Sequence, residues 1–388
     1  MQNQDRLRLA FLADPNSVHT RRWLAYFAER GHDVHLLDGY QTAIAPGLHD
    51  RILVHRYSAH GRWRIRFLSS FQGRRSLRKA LKRLRPDVLH AHYLSRYGSQ
   101  ARLSGFHPYV ISPWGSDLFV TPRTSRRARW WARATLGAAD LVTIVSEPMR
   151  AAAIEAGAHP DLIESIQFGV DTQRFAPGSV EEGLPERLGL GRHRVIFSSR
   201  ALRPIYNQET VVDAFAELPA DSILVLTARN ADLEYLAAVR SRIERLALRD
   251  RVRIIEDVTD SDLPNLLRLA AVVVSVPASD GFPVSVLEAM ASGTPVVATD
   301  LPPIRPVLGP IAPDLLVPVG DSHAVAAALR TALEMEPARR EGLASALREY
   351  AVRVADYAQN MERMETHYRR LARRPGRSPR SWRRAAGP

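Results

Sequence analysis

A loop between Asp280 and Ser285 carries groups suited to hold a phosphorylated ligand. The apolar run 271–276 before it is typical of a fully buried strand, and Pro283 favours the first turn of a following helix. Backbone N–H groups at a helix start attract phosphates, and α/β proteins bind ligands at the carboxyl ends of their strands. Glu288 follows one to two turns later, where a carboxylate could hold the hydroxyl pair of a ribose or a sugar.

Asp280 and Glu288 belong to a longer pattern. Seven residues separate them, and Ala-Met-Ala-Ser-Gly-Thr-Pro-Val-Val-Ala follows. The pattern resembles the acidic signature of the family 4 retaining glycosyltransferases, which have the GT-B fold and normally carry Glu at both ends of it. Here the first acid is Asp280. The resemblance implies that both carboxylates are catalytic, whereas the alternative is an ordinary strand–loop–helix with a solvated Asp and a buried Glu.

The composition fits a chain of two domains with apolar cores. At 388 residues the chain is too long for one ordinary domain, and 45% of its residues are hydrophobic. The absence of cysteine excludes disulfides, thiolate metal sites and cysteine nucleophiles. No signal pattern and no apolar run of about 20 residues is visible in the sequence. We therefore expect a cytoplasmic protein, either free or peripheral on the inner face of the membrane.

The formal net charge of +13 goes with three arginine-rich segments that contain no acid: 51–86, 118–139 and 369–388. Such segments either bind nucleic acid, bind an anionic membrane, or form a basic surface that is merely solvated. No nucleic-acid motif is visible, so we expect no nucleic-acid partner. For Arg62–Arg85 an anionic membrane surface and a solvated face both stay open. The tail 373–388 is expected to be basic and disordered.

Apolar strands alternate with amphipathic helices along the chain, which predicts an α/β fold with doubly wound parallel sheets. The strands expected in the first half are 7–13, 33–37, 52–55, 88–92, 109–112, 141–145 and 162–166. Those expected in the second half are 195–198, 223–227, 252–255, 271–276, 295–298 and 315–319.

Two Rossmann-like domains follow from this alternation. The stretch 169–177 is the natural linker and resembles the hinge sequence of the family. We expect an acceptor-binding domain at 1–175 and a nucleotide-sugar donor domain at 176–345, facing each other across a cleft that is the active site. The resemblance adds a C-terminal helix, within 346–372 and at about 351–371, that crosses back to the first domain.

The resemblance assigns donor binding to the second half. Arg200 ends the first strand there, where the family has an Arg and, five or six residues later, a Lys that together neutralise the donor diphosphate. Here Ile205 and Tyr206 stand at the Lys positions, and the alternative for Arg200 is a simple surface charge. The expected donor-binding residues are Arg200, Tyr206, Asn207, Thr227, Asp257, Val258, Gly281, Phe282, Pro283, Val284, Ser285 and Glu288.

The first half is expected to bind the acceptor. Its first helix opens with His19 and Arg21, without the Gly-Gly loop of many relatives, and these residues either face the cleft or cap the helix. Trp114 stands where many members have a His, and is either a platform for a sugar or lipid or a core residue. The function of that His is then absent, unnecessary or moved to His92 or His19. The expected acceptor-binding residues are His19, Thr20, Arg21, His92 and Trp114.

Two further features concern catalysis and metals. Asp117 follows a tight turn at Gly115 and is either a catalytic or acceptor-orienting carboxylate or a helix cap. His90 and His92 point the same way along a strand, but no third ligand is spaced beside them and no Asp-x-Asp motif is visible. We therefore expect no metal and no cofactor other than the nucleoside diphosphate sugar as co-substrate.

These residues favour a retaining, metal-independent hexosyltransferase that moves a sugar from a nucleoside diphosphate sugar to a glycan or lipid-linked acceptor. Its expected place is cell-envelope polysaccharide or glycolipid synthesis. The alternative is a catalytically weakened sugar-nucleotide-binding homologue acting as a subunit or scaffold, because the Lys and the His of the family are replaced. A nicotinamide-dependent dehydrogenase would need Gly-x-Gly-x-x-Gly after the first strand, and residues 14–19 do not have that sequence.

Overall fold

The computed structural model describes residues 6–40, 42–58, 66–256, 258–259 and 261–373, with the backbone alone for 66–71. The chain divides into two compact units. The N-terminal unit runs to Phe168 and takes in the chain again from Gln359, and the C-terminal unit comprises Gly169–Ala358. The division after Phe168 precedes the boundary at 175 that the sequence predicts, and the return at Gln359 follows the predicted return at 346.

A parallel sheet forms the centre of the N-terminal unit. Its strands are β1 (Arg8–Leu12), β2 (Asp33–Asp38), β3 (Leu53–Arg56), β4 (Val88–His92), β5 (Tyr109–Ser112), β6 (Leu141–Ile144) and β7 (Ile163–Ser165). They pair in the order β3-β2-β1-β4-β5-β6-β7. The helices along this part of the chain are α1 (Val18–Glu29), α2 (Arg66–Leu84), α3 (Ser99–Ser104), α4 (Ser116–Phe119), α5 (Arg126–Leu136) and α6 (Glu147–Glu155).

A second parallel sheet forms the centre of the C-terminal unit. Its strands are β8 (Arg194–Ser198), β9 (Ser222–Thr227), β10 (Val252–Ile255), β11 (Val272–Ser275), β12 (Val296–Thr299) and β13 (Leu316–Val317), in the order β10-β9-β8-β11-β12-β13. β9 is buried at every position, as expected of a parallel strand covered on both faces. The helices are α7 (Leu184–Arg187), α8 (Gln208–Ala216), α9 (Leu233–Arg245), α10 (Asp262–Leu269), α11 (Val284–Ala291), α12 (Arg305–Leu308), α13 (Ser322–Leu333) and α14 (Pro337–Ala355).

Both sheets change their direction of winding beside their first strand. β1 pairs with β2 on one side and β4 on the other, and β8 pairs with β9 and β11 in the same way. At such a point the connections leave towards opposite faces of the sheet, so a crevice opens at the carboxyl ends of the strands, where α/β proteins bind ligands. The residues that follow β1, β4, β8 and β11 are therefore placed for function. The prediction of two doubly wound α/β domains is confirmed.

The end of the described chain forms two helices, so the prediction of one helix over about 351–371 is wrong. After α14, the backbone of Asp356 is extended and α15 (Tyr357–Ala372) begins. At this break Val170 donates its N–H to the carbonyl of Ala355 at 2.8 Å and accepts the N–H of Tyr357 at 2.9 Å. The carboxylate of Asp356 accepts the hydroxyl of Thr172 at 2.6 Å. Residues 170–172 therefore supply the hydrogen bonds that the backbone loses where the helix is interrupted.

Tyr368 anchors α15 in the core of the N-terminal unit. Its side chain is fully buried, and its hydroxyl accepts the indole N–H of Trp23 at 3.2 Å and contacts Nδ1 of His90. Burial raises the pKa of the Tyr368 hydroxyl, so this group stays protonated and is available as a donor. One buried hydroxyl thus connects α15 with α1 and β4.

Replacing Tyr368 by Phe should lower the free energy of unfolding by about 1–3 kcal/mol, because two buried polar groups, on Trp23 and His90, lose their partner. The measurement is urea unfolding followed by circular dichroism. Tyr350→Phe is the matched control, since the Tyr350 hydroxyl has no hydrogen-bond partner in the described part of the chain. Equal losses in the two variants would contradict the role assigned to the Tyr368 hydroxyl.

Candidate functional site

Two loops of the C-terminal unit meet at the winding change of its sheet. The first follows β8 and contains Arg200, and the second follows β11 and contains Asp280. Nη2 of Arg200 donates to Oδ2 of Asp280 at 2.8 Å, and Nη1 lies 3.4 Å from the hydroxyl of Ser285 at the start of α11. The side chains of Arg200 and Asp280 are 12% and 18% exposed, so this is a largely buried ion pair. Arg200 is therefore not the surface charge of the alternative interpretation.

Tyr206 supports the same guanidinium group. The central carbon of the Arg200 guanidinium lies 3.9 Å from the centroid of the Tyr206 ring, a close cation–π contact. Tyr206 stands at one of the positions where the family has a Lys, so the aromatic ring holds the first cation instead of adding a second one. The Nε of Arg200 is buried and has no hydrogen-bond partner among the described residues.

Backbone contacts join the two loops. The side-chain amide of Asn207 donates to the carbonyl of Val276 at 3.1 Å, and the N–H of Ala278 donates to the carbonyl of Ile205 at 2.9 Å. Asn207 has φ +50 and ψ +43, a left-handed conformation that Asn tolerates better than most residues. The side chain of Asn207 thus holds the loop after β8 against the segment that follows β11.

Gln208 is a site residue that sequence reasoning missed. It is almost fully buried, and its amide donates to the hydroxyl of Ser198 at 3.0 Å and lies 3.5 Å from the carbonyl of Arg200. It therefore holds the backbone that carries the arginine. A polar residue at the start of α8 is ordinary in sequence, so no signal in the chain distinguishes Gln208 in advance.

Burial raises the pKa of the Asp280 carboxyl, while Arg200 and the backbone N–H groups of Gly281 and Phe282 lower it. Burial is the largest of these effects, so the ionised form of Asp280 depends on its partners. Gly281 and Phe282, which provide these N–H groups, lie just before the start of α11. Phe282 is itself buried, as are Pro283 and Val284, so these residues contribute their backbone and not a side chain to the loop surface.

Glu288 lies in the second turn of α11 and is half-buried. It follows Ser285 by three residues, and residues three apart share a helix face with their Cβ atoms about 5–6 Å from each other. Since Ser285 contacts Arg200, Glu288 lies on the helix face that borders the ion pair. The fold thus brings Arg200, Asp280 and Ser285 together, with Glu288 one turn further along the same face of α11.

Three more predicted donor residues follow neighbouring strands. Thr227 ends β9 and is buried, and Val258 lies after β10 and is half-buried. β9 pairs with β8, so Thr227 is at the same sheet edge as Arg200, although it makes no direct hydrogen bond with it in the described structure. Asp257 lies outside the described residues. The roles of these three residues stay predictions.

An aromatic cluster of His19, His92, Trp114 and Phe168 lies at the carboxyl ends of β1, β4 and β5. The His19 ring stacks on Phe168 with centroids 4.7 Å apart and meets Trp114 edge-on at 5.8 Å. The rings of Trp114 and His92 are 5.6 Å apart. His19 and Trp114 are half-buried, so this cluster presents an aromatic surface. Sequence reasoning missed Phe168, which carries no signal beyond its place before the linker.

His92 and Thr20 lie beneath that surface. Both are buried, and Nδ1 of His92 is 3.3 Å from the hydroxyl of Thr20. Burial, and secondarily His19, lowers the pKa of His92 to about 3. The ring is therefore neutral at physiological pH, and a transfer of the missing histidine's acid function to His92 is not supported.

Arg21 is engaged by the backbone of its own unit. Its guanidinium donates to the carbonyls of Pro15, Ala45 and Pro46 at 2.6–2.7 Å and to the side chain of Asn16 at 3.1 Å. These bonds fasten the loop after β1 to the segment around Pro46. The geometry thus supports a structural role for Arg21 and gives no support to its predicted contact with the acceptor.

Asp117 is fully buried and accepts hydrogen bonds from the backbone. Its Oδ1 accepts the N–H groups of Trp114 and Gly115, each at 2.9 Å, and its Oδ2 accepts that of Leu94 at 2.6 Å. Burial raises the pKa of Asp117, and these N–H groups lower it. Because both oxygens are occupied, the structural alternative is favoured over a catalytic Asp117. This residue joins the loops after β4 and β5 and positions Trp114.

Among the described residues, no group of three or more His, Asp or Glu is arranged to hold a metal ion. Both ring nitrogens of His90 are engaged, Nδ1 with the hydroxyl of Tyr368 and Nε2 with that of Ser112 at 2.7 Å. His90 is therefore structural. Metal independence of the reaction stays a prediction.

The described part of the basic segment Arg62–Arg85 belongs to α2. Arg75, Arg78, Lys79 and Lys82 line a groove of about 1240 Å³, which continues along Arg85 and the loop before β5. Arg62 lies outside the described residues. Within them, no helix is both long and apolar enough to cross a membrane.

Comparison with known families finds two matches, one in each unit. Residues 8–146 match a family described as "Glycosyl transferase 4-like". Residues 182–352 match one described as "Glycosyl transferases group 1". The second match contains Arg200 and the segment from Asp280 to Glu288, and the first contains His19, His92 and Trp114.

Several curated relatives resemble parts of the chain. A D-inositol 3-phosphate glycosyltransferase of Saccharomonospora viridis is 31% identical over 50% of this chain and 47% of its own length. A phosphatidyl-myo-inositol mannosyltransferase of Mycobacterium leprae is 28% identical over 61% of this chain and 55% of its own. An Escherichia coli galactosyltransferase acting on a diphosphoundecaprenol-linked sugar is 27% identical over 58% of this chain and 61% of its own length. The chain thus spans about half the length of the curated relatives it matches.

Solved structures of other proteins share the fold. Anabaena HepE in complex with UDP and glucose is 19% identical, covers 94% of this chain and all of its own, and has a TM-score of 0.79. Sucrose-phosphate synthase from Thermosynechococcus elongatus is 20% identical and has a TM-score of 0.76. The match covers 94% of this chain and 99% of the synthase chain. At this identity the likeness shows the fold, which is the two-domain, Rossmann-like GT-B fold predicted from the sequence.

Asp117→Asn should lower the free energy of unfolding by about 1–3 kcal/mol, because the amide nitrogen cannot accept the backbone N–H that Oδ2 now accepts. Thermal and urea unfolding measure the effect, and Asp50→Asn, at an exposed position of the same unit, is the control. If Asp117→Asn were as stable as the wild type and yet inactive, Asp117 would return to the catalytic candidates.

Proposed function

The chain belongs to the group 1 glycosyltransferases of family 4, and from this premise we propose that it transfers a sugar from a nucleoside diphosphate sugar to a glycan or lipid-linked acceptor. The proposed place of the reaction is cell-envelope polysaccharide or glycolipid synthesis. Relatives that act on phosphatidyl-myo-inositol and on a diphosphoundecaprenol-linked sugar support this proposal. The alternative of a weakened homologue acting as a scaffold is not favoured.

The observation that carries the proposal is the convergence of Arg200, Asp280 and Ser285 across the winding change between β8 and β11. A guanidinium group, a hydroxyl and the N–H groups at the start of α11 together suit an anionic diphosphate. Structural neighbours bound to UDP and UDP-glucose support a nucleotide-sugar donor.

We propose that the reaction retains the configuration of the transferred sugar and needs no metal ion. As the bond between the sugar and the diphosphate breaks, the acceptor hydroxyl attacks from the same face and its proton passes to the departing diphosphate oxygen. The protein then has to position the two substrates and stabilise the negative charge on the leaving group. Arg200 and the N–H groups of α11 stabilise that charge, and Glu288 holds hydroxyl groups of the donor.

The aromatic cluster of the N-terminal unit is the proposed acceptor surface. We propose that a sugar packs against the half-buried rings of Trp114 and His19, and Asp117 fixes the loop that carries Trp114. We further propose that the basic segment Arg62–Arg85 rests on an anionic membrane, with the enzyme peripheral on the cytoplasmic face. The run of arginine and lysine along α2 supports that placement.

Arg200→Ala should weaken binding of the preferred nucleoside diphosphate by about 10–100-fold, since charged hydrogen bonds contribute about 1.5–3 kcal/mol each. Calorimetric titration with UDP, GDP, ADP and their sugars, without and with magnesium, measures this and identifies the donor. Arg249→Ala, which removes an exposed arginine of the same unit, is the control. Unchanged affinity in a folded Arg200→Ala variant would remove Arg200 from the site.

Glu288→Gln should abolish or sharply reduce sugar transfer while leaving the fold intact, because the amide loses a negative charge and one acceptor oxygen towards the donor hydroxyls. Release of nucleoside diphosphate from the donor identified by calorimetry is the readout. Glu334→Gln, on the exposed end of α13, serves as the matched substitution. Activity of Glu288→Gln close to that of the wild type would refute the assignment.

A further inference from the structure

A second cavity of the N-terminal unit has no role in the function proposed so far. It has a volume of about 320 Å³ and lies between the segment after β4, α3, α4 and α5. The apolar part of its wall consists of Leu94, Leu103, Ala128, Trp131 and Ala132. Trp131 and Leu103 are half-buried, and Ser95 at the same wall is exposed, so the cavity reaches the surface.

The side chains of Ser99, Thr121 and Asp117 in the cavity wall already have partners. The hydroxyl of Ser99 donates to the carbonyl of Ser95 at 2.9 Å, and that of Thr121 lies 3.3 Å from the carbonyl of Ser116. Asp117 also borders the cavity, but its two oxygens accept backbone N–H groups. A sugar or a nucleotide would therefore find few groups to replace its hydrogen bonds to water, whereas an apolar chain needs none.

The helix α5 presents an apolar face to the cavity and arginines beside that face. Ala128, Trp131 and Ala132 recur at the three- and four-residue spacing of one helix face, and they line the cavity. Arg127 and Arg129 flank that face on either side, and Arg126 and Arg133 lie further round the helix. All four are exposed, and none of them forms an ion pair with a carboxylate of the described residues. Asp117 is the only acidic residue between Leu94 and Ala139, and it is buried.

Exposed apolar groups accompany these arginines. Trp130 is 56% exposed and Val120 is 48% exposed. The guanidinium of Arg102, the residue before Leu103, lies 5.5 Å and 5.3 Å from the rings of Trp130 and Trp131. Tryptophan beside arginine is typical of surfaces where an apolar phase meets negatively charged headgroups.

We propose that this cavity binds the apolar chain of an anionic, phosphate-bearing amphiphile whose headgroup meets the arginines of α5. At about 30 Å³ for a group the size of a water molecule, the cavity accommodates roughly ten carbon atoms of such a chain. The positive surface without exposed acids is complementary to a phosphate, and the apolar wall is complementary to a hydrocarbon. A neutral lipid would leave the arginines without a counter-charge.

The cavity adjoins the proposed acceptor surface. Asp117, which borders the cavity, accepts the N–H of Trp114, and Leu94 follows the end of β4 at His92. We therefore assign the amphiphile as the acceptor or as the lipid that carries it, an assignment that rests on the proposed function. Binding of the amphiphile itself does not depend on that function and can be tested separately.

The test is calorimetric titration of the full chain with dodecyl phosphate below its critical micelle concentration. Butyl phosphate has the same charge with a short chain, and dodecyl maltoside has the same chain without charge. We expect one dodecyl phosphate per chain, bound at least about tenfold more tightly than butyl phosphate, since each additional buried methylene contributes about 0.8 kcal/mol. It should also bind at least about tenfold more tightly than dodecyl maltoside, because only the phosphate forms charged hydrogen bonds with the arginines.

Filling the cavity provides the decisive variant. Ala128→Leu adds a large side chain to the wall while keeping a good helix former, and should weaken dodecyl phosphate binding at least about tenfold. Ala134→Leu makes the same substitution on α5 away from the cavity and should stay within about twofold of the wild type. Both variants should bind the preferred nucleoside diphosphate as the wild type does.

Three results would overturn the inference: wild-type affinity of Ala128→Leu, equal losses in Ala128→Leu and Ala134→Leu, or equal affinities for dodecyl phosphate and dodecyl maltoside. Displacement of dodecyl phosphate by a single-stranded oligonucleotide, equally in the wild type and Ala128→Leu, would also overturn it in favour of nucleic acid. Failure of the wild type to bind any nucleoside diphosphate would instead count against the proposed function alone, because the cavity experiment does not use a nucleotide.

Discussion

The ion pair between Arg200 and Asp280 joins the two loops on which the candidate donor site is built. The two residues are 80 positions apart in sequence, and they meet because β8 and β11 are neighbours at the winding change of the sheet. Removing one partner of a buried pair leaves an uncompensated charge, which typically costs about 3–5 kcal/mol. The strand order therefore determines the electrostatics of the site as well as its position.

Arg200 supplies positive charge to the candidate site, and its neighbours determine how that charge is presented. Tyr206 stacks on the Arg200 guanidinium where the family has a Lys, so the ring restricts the arginine instead of adding charge. Asp280 neutralises part of the positive charge, but burial already raises the pKa of this carboxyl. A diphosphate bound beside Asp280 would raise its pKa further, because like charges oppose ionisation. Protonation of Asp280 would then leave the whole charge of Arg200 to the diphosphate.

The sequence was sufficient to predict the two sheets and the loop that contains Asp280, but not the contacts of single side chains. Strands such as β11 and β12 are nearly continuous apolar runs, and Asp280 and Glu288 stand in a recognisable pattern. The interruption at Asp356 depends on contacts with Val170 and with Thr172, which lies 184 residues earlier, and no local pattern reveals them. In the same way, the cluster of His19 and Phe168 forms only through tertiary packing.

Asp117 shows why a carboxylate within a family motif need not be catalytic. Its acceptor oxygens satisfy N–H groups from two loops that have no regular partners, and such groups are costly to bury without an acceptor. The same residue borders the apolar cavity, so its carboxylate must be fully satisfied before that cavity can accept a hydrocarbon chain. One buried acceptor thus permits both the placement of Trp114 and an apolar wall beside it. A glycan surface and a lipid site can therefore lie next to each other in this unit.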